Sequence, residues 1–407
     1  MSGSKPALKR VITLPLLVLY GLGTSIGAGI YVLIGEAAAQ AGPYAPMSFV
    51  LAAVIMAFTA GSFAELSGRI PQAAGEAVYV RAGFRSEWLS LLTGGAILLA
   101  GTVSAAAITL GGVGYLLALV DIPRVAMTVL VVLFMGGVAA WGVKQSVVFA
   151  GIFTVMEVLG LVVIIVAGFL EQPAILLRIP EVVPAWNDTV ALGAVFTTSL
   201  IAFFAFIGFD SVVNLVEETR NPAKTMPAAI YLTLGITTVL YFLVLLVAVL
   251  SVPIDELGAS DAPVRFLFER LTGTSPLVIT LIAVVATLNG IILQIIMATR
   301  VLYGLGEKGS LPKIFARVSP KTRTPLFSTF LVTAVILALA LFFPIGKLAA
   351  TTTQLILVVF TFVNLSLVLL KLRREPFPAG IYTVRIWVPV MGTLTCLILL
   401  VGPFFVG

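Results

Sequence analysis

Two acids lie deep inside apolar runs, where a charge needs a purpose. Glu157 stands in Val155-Met156-Glu157-Val158-Leu159-Gly160, and Asp210 in Phe206-Ile207-Gly208-Phe209-Asp210-Ser211. A charged acid at mid-membrane costs roughly 2.5–3.5 kcal/mol on insertion scales, so such a group is paired, protonated or functional. Glu157 suits a proton site, a cation ligand, or a neutral acid bonded to a hydroxyl such as Thr287. Asp210 suits a cap for amides freed where its helix breaks. Beside these acids, backbone chemistry is written in glycine. Gly21, Gly23, Gly27 and Gly29 fall within nine residues of one run, and Gly208 stands next to Asp210 in another. Each glycine costs roughly 1 kcal/mol relative to alanine inside a helix. Unwound backbone in a bilayer is tolerated only where it lines a cavity or binds something. Free amides from Thr24 to Gly29, at the positive end of a half-helix, suit a carboxylate. Free carbonyls from Phe206 to Gly208, with Asp210 nearby, suit an ammonium. Together they describe a receptor for the backbone of an α-amino acid. The plainer alternative is that Gly23 and Gly27 let helices pack closely, as GxxxG spacings do.

The elements that must carry these residues follow from composition. Of 407 residues, 60% are hydrophobic and 10% charged, which leaves too much apolar surface for a soluble domain. Eleven apolar runs are long enough to cross a bilayer, from Val11–Gln40 to Ile386–Phe405, with short loops between them. An N-terminus in the cytoplasm places 19 of the 24 Lys and Arg on the inner side, as the positive-inside rule requires. The two interrupted runs are the first and the sixth. An interrupted span at the start of each five-helix half, entering from opposite faces, is the pattern of an inverted-repeat secondary transporter. The whole chain, 1–407, then forms one transmembrane domain. Residues 11–142 and 147–170 make the first repeat, 190–370 the second, and 386–405 an additional helix.

Absences exclude other classes. No histidine is present, the single cysteine is Cys396 and there is no Walker A sequence, so no catalytic constellation assembles and the chain is read as no enzyme. The net charge of +6 is scattered between apolar runs, which argues for topology and against nucleic acid. Glu65, Arg69, Arg81, Glu217, Glu218 and Arg220 fall near the inner helix ends, where alternating ion pairs would close an inner gate, but surface pairs are individually worth little and solvated interfacial charge is the default expectation.

The stretch Gly23-Thr24-Ser25-Ile26-Gly27-Ala28-Gly29-Ile30 resembles the first-helix segment of the amino acid-polyamine-organocation transporter family. Helix six and its tail, from Phe203 through Glu217-Glu218-Thr219-Arg220-Asn221-Pro222, resemble the cationic amino acid transporter branch. Pro71-Gln72-Ala73-Ala74-Gly75 and Arg300-Val301-Leu302-Tyr303 extend the likeness over nearly the whole chain. The resemblance implies an all-α polytopic protein with a LeuT-type five-plus-five inverted repeat and broken helices one and six. It also implies twelve spans, one more than the eleven counted here.

It further implies that Thr24, Ser25, Gly27, Ala28 and Gly29 meet a substrate carboxylate, while Phe204, Ala205 and Ile207 meet the amine. Phe204 would swing over the substrate as a gate. Ala100, Gly101 and Ala105 from helix three and Gln294 from helix eight would face the substrate side chain. These are small or neutral and suit an alanine-like amino acid. Glu157 matches the position where proton-coupled relatives carry lysine, and Asp210 one where exchangers carry a proton-sensing glutamate. The expected activity is uptake of small neutral amino acids by alternating access, with H+ as coupling ion and Na+ as the other candidate. The alternatives are an exchanger, a carrier of cationic amino acids or polyamines, and a sensor that binds without transport. No cofactor and no obligate protein partner is expected, and the lipid bilayer of a prokaryotic inner membrane is the expected setting.

Overall fold

The computed structural model describes residues 10–26, 29–72, 75–141, 147–307, 311–322 and 324–402. Among them the secondary structure is helical, apart from a single bridge between Ile12 and Thr219. The first apolar run forms α1 (Leu14–Ile26) and α2 (Gly29–Ala41), and residues 27 and 28 between them lie outside the described residues. A single 3-10 turn, Gly42–Tyr44, separates α2 from α3 (Ala45–Arg69). After α4 (Gly75–Phe84) come α5 (Glu87–Leu117), α6 (Arg124–Trp141) and α7 (Val147–Glu171). The sixth run forms α8 (Thr189–Phe206) and a 3-10 helix, Phe209–Glu218. The chain continues through α9 (Pro222–Ser251), α10 (Ile254–Ala259), α11 (Pro263–Thr272), α12 (Leu277–Glu307), α13 (Leu326–Phe342), α14 (Ile345–Leu372) and α15 (Trp387–Val401). Each of the eleven expected spans has a helical counterpart.

Helix starts follow from local chemistry. The Ser86 side chain accepts from the Leu89 amide and opens α5, and the Asp188 carboxylate accepts from the Ala191 amide and opens α8. Pro222 begins α9, where a missing N–H costs nothing.

Lipid-side and interior faces differ in kind. Leu130, Leu133 and Phe134 of α6 and Leu159 of α7 are exposed, as the outward face of a membrane helix should be. Inside, small and polar side chains join helices. Ser62 Oγ donates to Asn364 Oδ1 at 2.6 Å, and Asn364 Nδ2 donates to Thr59 Oγ1 at 2.9 Å, tying α3 to α14. Cys396 is buried beside Thr59, at 3.6 Å, in the packing role its apolar run suggested.

Two expectations are corrected. The loops are not uniformly short. Residues 172–188 hold a 3-10 helix (Pro173–Val182), and the connection from α9 to α12 holds α10 and α11. Glu65 and Arg69 are also not solvated interfacial charge. Glu65 is fully buried, with Arg69 Nε at 2.8 Å, Lys371 Nζ at 2.7 Å and the Val384 amide donating at 2.7 Å. Two cations and an amide satisfy the carboxylate in a place where a lone charge would be prohibitive. This cluster binds the end of α3 to the end of α14 and to the irregular segment before α15.

Candidate functional site

Helix six breaks at Ile207-Gly208. Ile207 is extended (φ −60°, ψ 129°) and Gly208 has φ 130°, a conformation that side chains resist. Space makes the same demand, because a Cβ on Gly208 would lie 2.4 Å from the Thr24 carbonyl oxygen. The Gly208 amide, freed by the break, donates to Asp210 Oδ1 at 2.9 Å. Asp210 therefore caps the break, which is one of its two expected roles.

The same break touches the first run. The Thr24 hydroxyl lies 2.9 Å from the Gly208 carbonyl and is also within reach of its own helix's Gly21 carbonyl. A Cβ on Gly29 would lie 2.7 Å from Ala205 Cα, so glycine is what allows α2 to approach α8 this closely. Between the two elements stands Tyr241 of α9, whose hydroxyl is 2.8 Å from the Ser25 carbonyl and 2.9 Å from the Ala205 carbonyl. The structure thus brings together Thr24, Ser25, Gly29, Ala205 and Ile207. Gly27 and Ala28 lie outside the described residues. Several polar atoms here are unsatisfied: Ser25 Oγ, Thr233 Oγ1 and Thr237 Oγ1 are buried with no hydrogen-bond partner.

Tyr241 and the two threonines were missed from sequence, although a signal exists. Thr233, Thr237 and Tyr241 recur every four residues along an apolar helix, which puts three hydroxyls on one face.

Phe204 is buried in an apolar cluster that includes Val32, Leu33, Ala105 and Ile201. Gly101 faces Gln294, since a Cβ there would stand 3.0 Å from Gln294 Oε1 and 2.5 Å from Met297 Cε. The Gln294 amide reaches Ser104 Oγ at 3.4 Å. The helix-three and helix-eight positions thus form a neutral wall.

Glu157 occupies a different environment. α7 presses on the first run at two places. A Cβ on Gly23 would strike Thr154, and the Tyr31 hydroxyl donates to the Glu157 carbonyl at 2.5 Å. Glu157 therefore stands against Tyr31 of α2, one turn along α7 from the Thr154 that meets Gly23. Its carboxyl is 1% exposed, and neither oxygen has a hydrogen-bond partner of good geometry. Asn289 of α12 is the polar side chain that approaches it. Thr287, the hydroxyl expected as its partner, instead donates to the Ala283 or Val284 carbonyl of its own helix.

One more acid was not anticipated. Glu76, in α4 between spans, is buried and shares a hydrogen bond with Asp210. Two carboxyl groups bond in this way only when one carries a proton. Burial, and then the neighbouring Asp210 charge, push Glu76 from its ordinary 4.5 up to about 8. Its position in a loop-borne helix gave no depth cue in the sequence.

Residues 13–407 match the amino acid permease family. Among similar proteins are a vacuolar cationic amino acid transporter 2 of Arabidopsis thaliana, 30% identical over 92% of this chain and 62% of its own length. Two others come from Bacillus subtilis. The methylthioribose transporter is 29% identical over 92% of this chain and 84% of its own length. The branched-chain amino acid permease BcaP is 27% identical over 98% of this chain and 89% of its own length. The chain spans about three fifths of the length of the plant relatives it matches. With the family match extending over nearly its whole length, the chain belongs to the amino acid permease family.

Proposed function

We propose that this amino acid permease is a secondary transporter that carries small neutral amino acids together with protons by alternating access. The observation that carries the reading is the meeting of the first run with the broken sixth at Gly208, where the Tyr241 hydroxyl reaches the carbonyls of Ser25 and Ala205 while Ser25 Oγ is buried without a partner. Backbone groups freed at membrane depth need a ligand, and an amino acid supplies an ammonium for carbonyls and a carboxylate for amides. Thr24, Ser25, Gly27, Ala28 and Gly29 take the carboxylate, Ala205 and Ile207 the amine, and Phe204 closes over both. The neutral wall of Gly101, Ala105 and Gln294 favours a compact uncharged side chain. A cationic amino acid would leave its charge there without a partner.

Glu157 carries the coupling proton in this reading. A carboxylate without a hydrogen bond in a buried place is costly, and a proton or a bound cation removes that cost. The excess of Lys and Arg on one side supports an N-terminus in the cytoplasm and the α13–α14 turn outside, in the inner membrane of what we read as a prokaryotic cell. Rocking of one group of helices against the rest, about the five-plus-five repeat of residues 11–170 and 190–370, opens the site to each side in turn.

The test is uptake of labelled alanine into proteoliposomes under an inward pH gradient, with and without sodium, against competing neutral and cationic amino acids. Uptake that follows the pH gradient, ignores sodium and yields to neutral competitors supports the reading. Uptake only into preloaded vesicles makes the protein an exchanger, and binding without any flux makes it a sensor.

A further inference from the structure

A cavity of about 360 Å³ opens at the end of α2 and the start of α14. That volume lies within the range of small-molecule pockets, about 300–1,000 Å³. Its lining is largely apolar, with Ile201 of α8 and Gly346 of α14 in it, and carries four polar side chains: Glu36 and Gln40 from α2, Thr197 from α8 and Lys347 from α14. The Gln40 amide donates to Glu36 Oε1 at 3.0 Å and holds the carboxylate in place. A Cβ on Gly346 would lie 2.4 Å from that oxygen, so the glycine makes room for it. Lys347 faces the same space, its only described neighbour of note being the Phe343 ring at 5.4 Å. Glu36 and Lys347 do not form an ion pair with each other or with any described residue. One cavity thus presents a negative and a positive charge, neither in an ion pair, that a molecule with both signs would bridge. Ile201 lines it, and Phe204 lies one turn deeper on the same helix, in the same apolar cluster.

We propose that this cavity is a separate entry site for a zwitterionic amino acid, with the ammonium on Glu36 and the carboxylate on Lys347, one step outside the Phe204 gate. The inference rests on the transport reading above, which supplies the substrate class and the outward orientation. Its energetic logic is that of a weak staging site. Partly exposed charges give modest affinity but raise the local concentration of substrate at the gate. Glu36 also lies at the N-terminal turn of α14, where a negative charge is favoured whether or not anything binds. Lys347 has no such second role, so the decisive substitutions are made there.

The experiment places a reporter cysteine in the full chain by Thr197→Cys, the native Cys396 being buried. It measures how fast a membrane-impermeant thiol reagent modifies the reporter, with and without alanine. Alanine is expected to slow modification, Lys347→Gln to abolish the protection, and Lys347→Arg, which keeps the charge, to restore it. In parallel, with Thr197 intact, Lys347→Gln is expected to raise the KM for alanine uptake about tenfold, equivalent to 1.4 kcal/mol, with the maximal rate within about twofold. Protection that survives Lys347→Gln would come from the central site closing and would overturn the proposal, as would an unchanged KM. Failure of the transport reading looks different: the wild-type chain would then move no amino acid in either uptake or exchange mode.

Discussion

Asp210 and Glu157 are both acids buried in apolar spans, and their surroundings have little else in common. Asp210 sits where a helix breaks, accepts the Gly208 amide at 2.9 Å and faces a second carboxyl, Glu76. Glu157 sits within one continuous helix, and both its oxygens are buried without a hydrogen bond. The first acid is explained by the backbone it satisfies, since a freed amide at that depth needs an acceptor. The second has only the approach of Asn289, with no bond of good geometry to either oxygen. A buried polar group that the fold does not use is a better candidate for chemistry than one that the fold requires.

That contrast can be broken by substitution. The largest effect is expected from Glu157→Gln, which keeps shape and removes the titrating proton: pH-driven alanine uptake should fall about a hundredfold, near 2.7 kcal/mol in the transport barrier, while alanine binding stays measurable. Undiminished pH-driven uptake in that variant would remove Glu157 from the coupling step. Gly208→Ala tests the other side. It forces a Cβ against the Thr24 carbonyl and a strained φ, so a loss of about 1–3 kcal/mol in stability should appear as a lower Tm in detergent. Asp210→Ala should cost about 1 kcal/mol by leaving the Gly208 amide without its acceptor, whereas Asp210→Asn keeps an acceptor oxygen and most of that stability. If Asp210→Asn nevertheless abolished pH-driven uptake, the two acids would share the coupling role and the contrast would fail.

A pH dependence of stability is expected from Glu76. Because its folded value is raised to about 8 from 4.5, the folded protein binds more protons than the unfolded chain between those limits. Its contribution to stability is therefore complete below about pH 4.5 and is lost as pH rises through about 8. The wild-type Tm should fall over that window, and Glu76→Gln should flatten the fall.

The comparison also shows where reading a sequence stops. Glycines beside an acid in an apolar run announced the Gly208 break, because that combination is costly in a plain transmembrane helix. The depth of Asp210 and Glu157 was equally visible. Their difference was not, since whether a carboxyl meets a partner depends on how neighbouring helices are rotated. Thr287 and Asn289 are two residues apart on α12, and the turn between them decides which side chain approaches Glu157.

By itself the sequence determined the all-helical class, the number of apolar spans, the two interrupted ones and the asymmetry of charge between the faces. These depend on local facts: some 20 apolar residues cross a bilayer, glycine weakens a helix, and Lys and Arg stay on one side. Tertiary structure alone decided which distant groups satisfy one another. Tyr241 bridges to Ser25 across 216 positions, Glu65 finds Lys371 across 306, and Glu76 finds Asp210 from a short helix outside the spans. The reason is physical. In an interior with no water to serve as a universal partner, each buried polar group must be met by a particular atom, and packing between helices selects that atom without regard to distance along the chain.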